Sequence, residues 1–169
     1  MSCKTGNRVP LSSSLLSACS KVQNTSENDY SLVFFSEEEF SSLKNLLDFI
    51  LPKTDSPSAV EVGVHLSIDN MVGLVYNPDE QKKFKKQFDS LKPFGATSHQ
   101  LNQLKEVLKS NDENSKEVKT AFLALKKQAV AYYLSTEEIG KTYLNYLPVP
   151  GKYEPCISLD SVDGKAWAL

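Results

Sequence analysis

From Phe35 onward, apolar residues recur every three or four positions between short polar breaks, a rhythm that predicts α-helices. Ser36 followed by Glu37, Glu38 and Glu39 predicts a helix start. The Ser36 hydroxyl caps the first free amides, Glu39 reaches back to the Ser36 amide, and Phe35 and Phe40 flank the box as a staple. Phe40, Leu43, Leu46, Leu47, Ile50 and Leu51 fall on one face, and Pro52 ends the run. A second helix is expected from Ser56 and Pro57 through Val60, Val64, Ile68, Met71 and Val72. Gly63 inside it costs about 1 kcal/mol against Ala, which suggests a close helix contact.

Asn77 and Pro78 predict a third helix with Phe84, Phe88 and Leu91 inward. Its Lys82, Lys83, Lys85 and Lys86 read as a solvated face, with anion binding as the alternative. Pro93-Phe94-Gly95 is a turn. A fourth helix covers about Ser98 to Lys109, with Leu101, Leu104, Val107 and Leu108 inward. After a polar loop at Ser110 to Ser115, a fifth covers about Lys116 to Leu134, with Val118, Phe122, Leu125 and Val130 on its face. A second capping box at Ser135 to Glu138 opens a sixth helix through Ile139, Tyr143 and Leu147, stopped by Pro148 and Pro150. The remaining residues predict an extended, irregular arm, and no segment shows sustained strand alternation. The expected fold is all-α, a single domain of about six helices over residues 31–169. Residues 1–30, rich in Ser, Asn, Thr and Lys, read as a polar tail.

Composition narrows the function. With 19 basic against 21 acidic residues in 169, the chain has no electrostatic footprint for nucleic acid. No apolar run approaches the roughly 20 residues that span a bilayer. The phosphate-binding, zinc-protease and serine-hydrolase motifs are missing. Cys3, Cys19 and Cys156 lack metal-ligand spacing, and His65 and His99 stand alone. The sequence therefore predicts no catalytic, cofactor or metal site in this chain.

Two sets of residues remain as candidates. Glu61, His65 and Asp69 are spaced i, i+4, i+8, so a continuous helix would place them on one face. That face reads as an exposed polar surface or a subunit contact; the rival is a small stand-alone enzyme with His65 as base. Tyr132, Tyr133, Tyr143, Tyr146 and Tyr153 crowd the C-terminal part. Tyrosine suits both cores and interfaces, so both readings stay open there.

The segments Phe35-Ser-Glu-Glu-Glu-Phe40, Leu46-Leu-Asp-Phe-Ile-Leu-Pro52 and Ala59-Val-Glu-Val-Gly-Val64 resemble the opening of the gluconate 2-dehydrogenase subunit 3 family. Ser135-Thr-Glu-Glu-Ile-Gly140, Tyr146-Leu-Pro-Val-Pro-Gly-Lys-Tyr153, Cys156 and Gly164-Lys-Ala-Trp167 resemble its C-terminal signature. The resemblance covers about residues 33 to 168. It implies a small, non-catalytic subunit of a bacterial membrane-associated dehydrogenase. The implied partner is a large subunit of the glucose-methanol-choline class that carries FAD and oxidises a sugar, polyol or sugar acid, often with a cytochrome subunit. The small subunit would assist its export or maturation, which implies a periplasmic or membrane-associated location. A helical interaction protein without such a partner is the remaining alternative.

Family members often begin with a twin-arginine signal, whereas here only Lys4 and Arg8 precede a weak apolar stretch. Leu16-Ser-Ala-Cys19 resembles a lipoprotein box instead, with Cys19 as the lipidated residue. The C-terminal arm is the expected partner surface, through Tyr146, Pro148, Pro150, Tyr153, Cys156 and Ile157, with Trp167 packed on the body. Export makes Cys156 a candidate for a disulfide to the large subunit, the alternative being a buried or unpaired thiol.

Overall fold

The computed structural model describes residues 30–110, 112–147, 151–152 and 156–168. Cys19, Pro148, Pro150 and Tyr153 lie outside the described residues. Within them the chain is all-α. Its helices are α1 (Glu37–Ile50), α2 (Val64–Asn70), α3 (Pro78–Leu91), α4 (Ser98–Lys109), α5 (Lys116–Ser135) and α6 (Glu137–Thr142).

Helix α1 starts as its capping box dictates. The Glu39 N–H donates to Ser36 Oγ at 3.4 Å, and the Ser36 N–H donates to Glu39 Oε2 at 3.2 Å. Phe35 packs its ring edge-on against Phe88 and Phe84, while Phe40 lies against the His65 ring. Helix α3 has the same device, with Asn77 as cap, Glu80 closing the box and Pro78 in the first turn. The core is the shared inner face of these helices. Leu43, Leu46 and Leu47 of α1, Ile68 of α2, Leu104 of α4 and Ala129 of α5 are fully buried. Each large aliphatic side chain buried in this way stabilises the fold by about 1.5–3 kcal/mol.

The second helix differs from its expected course. Ser58 and Glu61 cap one isolated turn: the Ser58 N–H donates to Glu61 Oε2 at 2.8 Å, and the Glu61 N–H donates to Ser58 Oγ at 3.3 Å. That turn is closed when Val64 N–H donates to Ala59 O at 3.0 Å and Gly63 N–H donates to Val60 O at 3.0 Å. These are the paired bonds of a Schellman ending. Gly63 is its left-handed residue, with φ +76°. A Cβ there would meet only Leu66 Cδ1, at 3.8 Å, so backbone conformation and not close packing demands the glycine. Helix α2 then starts afresh at Val64 and widens into a π-helical turn, Met71–Val75. Gln81 Nε2 donates to Val72 O at 2.9 Å, which satisfies a carbonyl at that turn.

The sixth helix also departs from expectation. Ser135 is the last residue of α5, and its hydroxyl donates to Tyr132 O at 2.8 Å. Thr136 is the N-cap of α6 but makes no side-chain cap bond; its hydroxyl turns back to Tyr133 O at 2.8 Å. The expected Ser135 box therefore does not form, because α5 keeps Ser135 for its own last turn. Helix α6 ends at Thr142, short of Leu147.

Pro93-Phe94-Gly95 forms a 3-10 turn, Lys92–Gly95, against α1. A Cβ on Gly95 would lie 2.5 Å from Ser42 O, so only glycine lets the two backbones approach. Asn45 Nδ2 donates to Gly95 O at 2.8 Å and fixes that crossing.

Candidate partner interface

The spacing of Glu61, His65 and Asp69 presumes one continuous helix, and the break at Gly63 removes that premise. Glu61 stays on the surface, paired with Lys53 at 2.5 Å. Lys53 and the Ser58 amide together hold its carboxyl below the usual range. His65 is 2% exposed. Asp69 is fully buried, and its carboxylate accepts the backbone N–H groups of Val33, Phe34 and Phe35 at 2.8, 2.9 and 3.0 Å. The three residues are thus neither one surface nor an exposed polar face. Asp69 is a structural acceptor for the segment that leads into α1, and a base on this helix would have no open route to a substrate.

The lysine run on α3 is largely spent on neighbours. Lys82 reaches Asp79 at 3.8 Å, Lys86 reaches Glu117 at 4.0 Å, and Lys85 bridges Glu39 and Asp89. Lys82, Lys83 and Lys86 are exposed, as a solvated face should be, while Lys85 turns in toward α1.

The tyrosines divide between core and surface. Tyr133 is buried, with its hydroxyl donating to Pro57 O at 2.8 Å beside Ser56 Oγ at 3.0 Å. Gln128 Nε2 donates to the hydroxyls of Tyr76 and Tyr132 at 3.2 and 3.3 Å. Tyr143 and Tyr146 face solvent.

Beyond α6 the exposed apolar residues collect. Ile139 anchors the short helix in the core, and its carbonyl accepts the N–H groups of Tyr143 and Leu144, which ends it. Tyr146, Leu147, Ile157, Leu159 and Trp167 are all exposed, and Cys156 is an exposed free thiol. Leu159 is 74% exposed and opens a 3-10 turn (Leu159–Val162) in which no residue is buried. Of the expected interface, Tyr146, Cys156 and Ile157 are therefore at the surface. Trp167, expected to pack on the body, does so only in part. Its backbone is bridged to Asn145, yet its side chain stays 48% exposed.

A groove of about 340 Å³ runs beside this surface, between Leu134, Gly140, Lys141, Tyr146 and Ala168. A Cβ on Gly140 would meet nothing within 4 Å, so the groove has open room at that position. Glu137 and Lys141 pair along its edge at 2.5 Å. That pairing lowers the glutamate pKa and raises the lysine pKa.

A further apolar patch was not anticipated. Leu74 and Val75, on the π-helical turn, are 70% and 67% exposed, and Val33 is exposed next to Gly73. The signal was the unbroken run Met71-Val-Gly-Leu-Val-Tyr76, too long for one helix face, so part of it had to point outward. Among the described residues no group of acidic, histidine or cysteine side chains is placed to hold a metal ion. No described helix is long and apolar enough to cross a membrane.

The described residues thus form a helical body with exposed apolar side chains beyond α6 and on the π-helical turn. The profile of the gluconate 2-dehydrogenase subunit 3 family matches residues 37–151, and the chain belongs to that family. It is thereby a member of a family of dehydrogenase subunits. No curated protein and no solved structure matches it significantly.

Proposed function

We propose that this chain is the non-catalytic small subunit of a large FAD-dependent dehydrogenase of the glucose-methanol-choline class. It binds and stabilises that subunit through the surface beyond α6 and assists its export or maturation. The family match carries this reading, and the exposed Tyr146, Leu147, Cys156 and Ile157 support the choice of surface. Flavin and sugar, polyol or sugar-acid oxidation belong to the large subunit. The complex works in the periplasm or at its membrane. The box Leu16-Ser-Ala-Cys19 supports a lipid anchor on Cys19. A partner cysteine within about 7 Å, Cα to Cα, makes the exposed Cys156 thiol the site of an intersubunit disulfide.

Co-expression with the large dehydrogenase subunit tests the central claim. The two chains should co-purify with the flavin absorbance on the large subunit alone, and removing residues 148–169 should abolish co-purification. A small subunit that carries flavin by itself, or a complex that survives the deletion, would contradict it.

A further inference from the structure

The C-terminal residues turn back onto the body. The Asn145 N–H donates to Ala166 O at 2.7 Å, and the Ala168 N–H donates to Asn145 O at 3.0 Å. Lys165 Nζ donates to Thr142 O at 3.1 Å. These bonds fasten a strap, residues 165–168, to the segment that leaves α6, and so hold the two ends of the intervening loop together, at Asn145 and Ala166.

The reversal that allows this is built into the backbone. After the 3-10 turn, Asp163 and Gly164 are successive left-handed residues, with φ of +51° and +69°. Two left-handed residues in sequence turn the chain sharply, and Gly and Asp are among the residues that enter that region most readily. The Gly164 N–H donates to Leu159 O and the Lys165 N–H to Val162 O, both at 2.9 Å, which fixes the reversal.

The strap adds little to the core. Lys165, Ala166 and Trp167 are all exposed. Its structural effects are two: it sets the base of the loop, and Ala168 forms a wall of the groove that Tyr146 and Gly140 also line. Ordered main-chain bonds that bury so little apolar surface define a geometry more than they stabilise a fold.

We infer that residues 165–168 are a clasp that holds the apolar residues of the arm in their binding arrangement before the large subunit arrives. This rests on the reading that the arm is the partner surface. The physical gain is preorganisation. An open segment of this length would lose conformational freedom at every residue on binding, and a loop already closed at its base loses less.

Two of the three bonds can be cut without removing an exposed apolar side chain, and the third, from the Asn145 N–H, is read by hydrogen exchange. Ala168→Pro deletes the N–H that donates to Asn145, Lys165→Met deletes the bond to Thr142, and Ala168→Gly keeps the N–H as control. The chain has one tryptophan, Trp167, which sits on the clasp and reports its state directly. In the isolated chain, the Ala168→Pro/Lys165→Met variant should keep its far-ultraviolet helix signal while the Trp167 emission shifts to the red. Its affinity for the large dehydrogenase subunit should fall at least tenfold, while Ala168→Gly binds like the parent. The Asn145 amide should be protected from hydrogen exchange in the free parent chain, a measurement that needs no variant to fold.

An unprotected Asn145 amide overturns the clasp. So does a double variant that binds like the parent while deletion of residues 148–169 abolishes binding, which leaves the arm reading intact. If the deletion also binds like the parent, the arm reading fails and the clasp with it.

Discussion

Asp69, inside α2, accepts the backbone N–H of Phe35 at 3.0 Å across a sequence separation of 34 residues. The same carboxylate takes the amides of Val33 and Phe34, so three consecutive donors meet one buried charge. These amides lie outside helical pairing, and without Asp69 they would be stranded at the edge of the core. Asp69→Asn turns an amide donor toward them and leaves at least one unpaired. The expected loss is about 3 kcal/mol, from desolvated donors and a lost charge-assisted bond. Urea denaturation checks this, and a midpoint within error of the parent would refute it.

Glu39 links α1 to α3. Burial pushes its carboxyl up, but the Lys85 hydrogen bond, the Ser36 amide and the charges of Lys85 and Lys92 outweigh burial and hold it at about 2. A folded pKa below the unfolded value gives stability that is full above about pH 4.5 and is lost as the pH falls toward 2. Screening of the half-exposed Lys85 reduces the worth of this network to about 1–2 kcal/mol at neutral pH. Glu39→Gln should therefore be less stable than the parent at pH 7, and the two should converge near pH 2. A gap that stays constant across that range would count against the linkage.

Two glycines should respond to alanine in opposite directions. At Gly95 the added Cβ lies 2.5 Å from Ser42 O and 3.1 Å from Leu46 Cγ, so Gly95→Ala must separate α1 from the turn. It should cost about 2 kcal/mol. At Gly140 the Cβ enters open space on a helix, so Gly140→Ala should stabilise the isolated chain by about 0.5–1 kcal/mol. Thermal melts of the two variants should move apart. Movement in the same direction would contradict this account of both sites.

Cys156 is exposed and free, so in the isolated chain it should alkylate rapidly without denaturant. In the complex, the proposed interface should slow that reaction at least tenfold, and a disulfide would abolish it until reductant is added. Mass spectrometry of the labelled subunit reads both states. Equal labelling in the isolated chain and the complex would remove Cys156 from the interface.

Two helix starts were the most legible part of the sequence, because they are written in local chemistry. Ser36 with Glu39, and Asn77 with Pro78 and Glu80, make their bonds within three residues. Gly63 was legible too, but as an ending: Ser58-Ala-Val-Glu61 is a capping box one turn before it, and a glycine after one capped turn marks a left-handed stop. The i, i+4, i+8 pattern of Glu61, His65 and Asp69 hid this, because periodicity persists through a break that resets the helix. Asp69 was not legible at all. Its three donors lie on a segment with no pattern linking it to α2, and only tertiary packing brings them together. In the arm, residue types pointed to an exposed surface, whereas the strap that closes it rests on main-chain bonds no side chain announces.

The internal pairing of the α3 lysines bears on how fast a partner arrives. Lys82 pairs with Asp79, Lys85 with Glu39 and Asp89, and Lys86 with Glu117, so most of that positive charge is offset locally, with Lys83 left exposed to solvent. A diffusing partner is then not drawn to this face from afar, and encounters are governed by random collision and orientation. Association should run at the unsteered rate of about 10⁵–10⁶ M⁻¹s⁻¹ and change little with added salt. The lifetime of the complex, and not the frequency of encounters, would then set its strength.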